Sequence, residues 1–186
     1  MLSLLPFLVF AALGCSDPLS CNATPPSVPA VDLSKDPTYA LLDSPMRHVR
    51  TTDRQVQRLL RVGVTRSPTF ASLVTHLNGT DVIVYIEPVA TLPTTLAGRL
   101  LLMPLANQQR YLRIQIALLG STDELVALIG HELRHAVEVA DAPDVRNESA
   151  LVRLYERIGT RSSTAHTYET DAARSTARVV RHELIA

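Results

Sequence analysis

The chain of 186 residues has no excess of either charge and almost no cysteine, and each absence removes a class of function. Eighteen basic side chains balance eighteen acidic ones, so no net field draws the molecule to nucleic acid, and no nucleic-acid partner is expected. Lysine is nearly missing too: Lys35 is the single one, a bias to which no function attaches. The two cysteines, Cys15 and Cys21, both lie near the N-terminus. The fold therefore does not depend on disulfides. A cysteine nucleophile is also excluded, because it needs a base held beside it on a rigid scaffold. The apolar run Leu2 to Leu13 is too short to span a membrane as a helix, and no internal repeat is visible.

What that run does fit is a signal. Residues 1–16 contain no charged side chain, and a core of this length ahead of small residues has the form of an export peptide, assigned to 1–14. Ala11-Ala12-Leu13-Gly14-Cys15 resembles a bacterial lipobox, with Ala12 where leucine is usual. Two outcomes stay open: a lipidated Cys15 that associates the protein with a membrane, or ordinary cleavage after Gly14, leaving Cys15 and Cys21 to pair in an oxidising compartment. Either outcome places the protein in the periplasm or cell envelope. Residues 17–46 hold six of the twelve prolines and show no apolar period, so 15–50 reads as a tether and 51–186 as one folded domain.

Within that domain Val56, Leu59 and Leu60 recur at helical spacing before Gly63, an expected stop. Arg54, Arg58 and Arg61 line another side, a solvated face or a basic face resting on anionic lipid. Ser67-Pro68 opens a second helix to Asn78-Gly79. Val82 to Ile86 reads as a strand covered on both faces, and Arg99 to Met103 as a second. Tyr111 to Ile116 alternates strictly, predicting a half-buried strand at an edge. Ser121-Thr122-Asp123-Glu124 has the form of a capping box, starting a helix that runs to about Ala140. Two more helices are expected, over Glu148 to Ile158 and from about Thr167 to Leu184. The class is α+β, with about three strands packed against helices and the 121–140 helix following an edge strand.

That helix carries His131-Glu132-Leu133-Arg134-His135. Four residues apart, both imidazoles leave one helix face a turn apart and can share a tetrahedral ion. From the next position, Glu132 can reach a metal-activated water without ligating the metal, which is where a general base is needed. With six His and eight Glu in 186 residues, chance supplies about 0.008 such motifs. The expectation is Zn2+ as cofactor and a peptide or protein as substrate.

Catalytic zinc takes a third protein ligand. Glu138 shares the histidine face but stands about 10 Å along the axis from His131, too far to close the same site. Glu156 faces away from the apolar stripe of its helix, and Glu148 suits the dipole of its helix N-terminus. Glu169 is favoured, because on the last helix it would share a face with Ala172, Ala173, Thr176 and Val180, where a carboxylate is costly unless paired or bound. Glu148 stays the alternative. The two segments together resemble the gluzincin peptidases, in which a glutamate from a later helix completes a His-Glu-x-x-His site. Tyr168-Glu169-Thr170-Asp171-Ala172 is similar to the Tyr-Glu-Ala-Asp-Ala stretch of the Ste24 and heat-shock peptidase group. The resemblance implies Glu169 as third ligand, Asp171 as its support, and substrate backbone added along the edge strand, assigned to Tyr111 to Ile116. His166, Tyr168 and Tyr155 are the candidates to stabilise an oxyanion.

Two rivals differ in kind. Glu132-x-x-His135 is also half of a di-iron helix motif, but a second Glu-x-x-His is missing from the sequence. A non-catalytic, zinc-containing envelope lipoprotein would keep the fold and the metal as a binding or structural element.

Overall fold

A computed structural model describes residues 38–44, 47–92, 96–161 and 167–186, all within one compact unit. The signal segment 1–14, both cysteines, most of the tether and His166 lie outside the described residues. After a short π-helical segment, Tyr39–Asp43, the order is β1 (Val49–Arg50), α1 (Arg54–Arg66), α2 (Pro68–Asn78), β2 (Val82–Val89), β3 (Gly98–Ala106) and β4 (Gln109–Ala117). Then follow α3 (Thr122–Ala140), α4 (Glu148–Ile158), β5 (Thr160–Arg161), β6 (Tyr168–Glu169) and α5 (Asp171–Ile185). The fold is α+β: a four-stranded mixed sheet in the order β1-β2-β4-β3, a two-stranded β5-β6 ribbon, and helices. No described helix is long and apolar enough to cross a membrane.

The helices start where local chemistry predicts. Asp53 accepts from the Gln55 and Val56 amides, Ser67 from Phe70, and Asn147 from Ala150. Ser121 and Glu124 form the reciprocal capping box at the head of α3. Gly63 does not stop α1, which runs on to Arg66. Its missing side chain makes room for the Phe70 ring, whose atoms would stand 2.8 Å from an added Cβ.

The alternation in β4 is realised: Leu112, Ile114 and Ile116 are buried against the helices, while Tyr111, Arg113 and Gln115 turn to the other face. That strand is not an edge. It pairs in parallel with β2 on one side and antiparallel with β3 on the other, so β3 is the edge on its side of the sheet, as β1 is on the other. Alternation reports that one face of a strand is open and says nothing about who pairs beside it. The reading of β2 as covered on both faces holds only in part: Val82, Val84 and Ile86 are buried on one face and Ile83 on the other, but Tyr85 on that second face is exposed, stacked on Tyr111.

Candidate metal centre

α3 lies in the core with Ile129, Leu133, Ala136 and Val139 fully buried, which fixes the rotation of the helix and turns His131 and His135 out on one side. Their ring centroids stand 4.9 Å apart at an interplanar angle of 80°. Gly130 brings the partner helix close. A Cβ there would lie 3.2 Å from Val180 of α5, so the absent side chain lets α5, and with it Glu169 just ahead of its N-terminus, approach the histidines.

Glu169 is not on the last helix, a correction to the expected start near Thr167. It occupies β6, paired with Thr160 of β5, and α5 begins at Asp171 with Thr170 as its N-cap. Its carboxylate nevertheless meets both rings, Oε2 at 3.3 Å from His131 Nε2 and Oε1 at 3.5 Å from His135 Nε2. One donor atom from each of the three residues lies within 4.8 Å of the others. Charge-assisted hydrogen bonds contract to about 2.7–2.9 Å, whereas ligand atoms about 2.1 Å from a tetrahedral ion stand about 3.4 Å from one another. The two histidine–glutamate separations match the second spacing, while the three ligand atoms together lie within 4.8 Å. The cluster of His131, His135 and Glu169 can therefore hold a metal ion.

Burial works against the Glu169 charge, but the adjoining His131 and His135 outweigh it and hold the carboxyl well below the usual carboxylate range. Burial likewise disfavours a charged His135, and the bonds to Glu138 and Glu169 overcome it, raising the imidazole to about 9. Glu132 is 4 % exposed. Burial raises its carboxyl above the ordinary value, with the two histidines opposing. Its carboxylate abuts the first residue of the edge strand: a Cβ on Gly98 would fall 2.5 Å from Glu132 Oε1.

Around the cluster, Glu138 Oε2 lies 2.9 Å from His135 Nδ1, and Glu138 Oε1 accepts from the Thr170 hydroxyl at 2.8 Å. The Tyr155 hydroxyl donates to the His135 carbonyl at 3.3 Å, its ring edge-on to His135 and stacked on Tyr168. Burial pushes that phenol above its ordinary value, so it stays protonated. Of the oxyanion candidates, Tyr155 is thus engaged on backbone, Tyr168 is half-buried on β6, and His166 is outside the described residues. Glu148 and Glu156 are exposed on α4 and are not part of the cluster. Asp171 does not support the cluster: its side chain is 97 % exposed and pairs with Arg174 at 2.6 Å. The carboxylate in contact with the cluster is Glu138, which its spacing of three residues from His135 could have suggested. Gly98 left no local signal. No family model matches the chain, and no curated protein or solved structure is significantly similar to it.

Proposed function

We propose that the chain is a zinc-dependent peptidase of gluzincin type, with His131, His135 and Glu169 as ligands and Glu132 as general base. The observation that carries this is the convergence of two imidazole nitrogens and one carboxylate at 3.3 and 3.5 Å beside a buried glutamate. Two nitrogens and one oxygen, with a position left for water, is the donor set of catalytic zinc. When bound, zinc supplies Lewis acidity that makes water a nucleophile near neutral pH and polarises the carbonyl under attack. Glu132 takes the proton of that water on a carboxylate oxygen and delivers it to the departing amide nitrogen, a task suited to a carboxyl raised by burial. A substrate chain lies along β3, whose outer edge has no strand partner among the described residues and whose first residue touches Glu132. The reading of 1–14 as an export signal would make the substrates proteins or peptides of the cell envelope.

The test is the full chain, assayed for zinc content and for cleavage of a broad peptide library. One equivalent of zinc is expected, with turnover reduced about 10²- to 10⁴-fold by Glu132→Gln while the metal stays bound. A protein without stoichiometric zinc sinks the proposal. Zinc without turnover assigns the non-catalytic envelope role instead.

A further inference from the structure

We propose that Glu138 is a positioning residue for the metal centre: it holds His135 with Nε2 turned toward Glu169 and, through Thr170, fixes the segment that carries Glu169. The inference rests on the metal-site reading, not on peptide hydrolysis. A carboxylate only accepts hydrogen bonds, so the proton in the 2.9 Å contact with His135 belongs to Nδ1. Nε2, the atom 3.5 Å from Glu169 Oε1, is then the nitrogen left to a metal. The other oxygen of Glu138 receives the Thr170 hydroxyl at 2.8 Å. That hydroxyl in turn accepts the Ala173 amide at 3.1 Å, starting α5, and the Thr170 amide donates to Glu169 Oε1 at 2.9 Å. One carboxylate thus ties a histidine of α3 to the residue that follows Glu169.

An ordinary intrahelical ion pair explains this less well. Arg134 Nε stands 3.7 Å from Glu138 Oε1, beyond a hydrogen bond, whereas both short contacts of Glu138 lead into the cluster. Glu138 is 7 % exposed and Thr170 is 2 % exposed. A buried carboxylate is costly unless its oxygens are satisfied, and these two bonds satisfy it.

The test compares the full chain with Glu138→Gln, Thr170→Val and Ser121→Ala, the last removing a cap at the far end of α3 and serving as a generally destabilised control. Zinc affinity is read by chelator competition and ligand geometry by the visible absorption of the cobalt form. Glu138→Gln is expected to weaken zinc about 10- to 100-fold and to alter the cobalt bands, Thr170→Val to act in the same direction, and Ser121→Ala to lower the melting temperature alone. Zinc affinity of Glu138→Gln within about twofold of the parent, or an equal loss in Ser121→Ala, overturns the proposal. Should Glu138→Gln not fold, Thr170→Val decides, and unchanged affinity there overturns it. A parent chain that binds no zinc overturns this inference together with the metal site. A parent that binds zinc and cleaves nothing sinks hydrolysis alone, and the affinity comparison still decides Glu138.

Discussion

Gly98 acts on Glu132 through a side chain it does not have. A Cβ there would stand 2.5 Å from Oε1, 3.0 Å from Cδ and 3.1 Å from Cγ, so the carboxylate keeps its place beside the edge strand only while position 98 is glycine. What would yield is the end of a flexible glutamate side chain, not backbone. Gly98→Ala should therefore turn the Glu132 carboxylate away at little cost to the fold. A displaced catalytic group loses rate steeply, on the order of 10²-fold for about 1 Å. The expected result is kcat/KM lowered about 10- to 100-fold, with zinc content and melting temperature close to the parent. Parent-like turnover in Gly98→Ala would remove Glu132 from the reaction, since its oxygen cannot stay where the new methyl sits.

Among the elements, β6 meets α3 where Glu169 faces His131 and His135, so an ion held there would join the two. Zinc should raise the melting temperature of the parent by mass action, about 2.7 kcal/mol at a free concentration of 100 Kd. Glu169→Ala should lose most of that gain, and a shift undiminished in the variant would place the ion elsewhere. The approach of α5 to α3 depends on Gly130, where a Cβ would already be 3.2 Å from Val180. Gly130→Val should cost about 1–3 kcal/mol in chemical unfolding, recovered in part by Val180→Ala, because the clash is between those two side chains. These elements also mark how far the sequence can be read. The capping box, the histidine spacing and the burial of Leu112, Ile114 and Ile116 are local periodicities, and local chemistry settles them. The edge position of β3 comes from pairing between residues far apart in sequence, which no window of β4 contains. The start of α5 lay between two threonines, Thr167 and Thr170, either able to cap. Thr170 prevails through a bond to Glu138, 32 residues away, and this leaves Glu169 in a strand.

The whole molecule hangs α3 on a buried cation. Arg110 of β4 is 0 % exposed, and each of its five N–H groups has an acceptor. Nε and Nη2 donate to Asp81 at 2.9 and 2.6 Å, and Nη1 and Nη2 also reach the carbonyls of Val139, Ala140 and Ala142 at 2.7, 3.0 and 2.8 Å. The last turn of α3 has no basic residue of its own, so Arg110 supplies the charge and the donors that its carbonyl end requires. Arg110→Met leaves the Ala140 carbonyl without its donor and takes one of two donors from the carbonyls of Val139 and Ala142, which keep the Ala142 and Val145 amides, and should cost about 3 kcal/mol in urea unfolding near neutral pH. Asp81 gives the same arrangement a pH signature. The bond to Arg110 holds its carboxyl below the ordinary range, against a smaller opposing effect of burial. A carboxyl lowered in the folded state stabilises above its unfolded value, near 3.9, and that stability is lost as pH falls through the folded value. The parent should therefore exceed Asp81→Asn in unfolding free energy at pH 7, and the gap should close as the pH falls below about 4. Asp81→Asn in the Arg110→Met background should show no such closing, because the guanidinium that lowered the carboxyl is gone. A gap that persists unchanged to the acid limit would mean that Asp81 acts through its shape, and Arg110 through the three carbonyls alone.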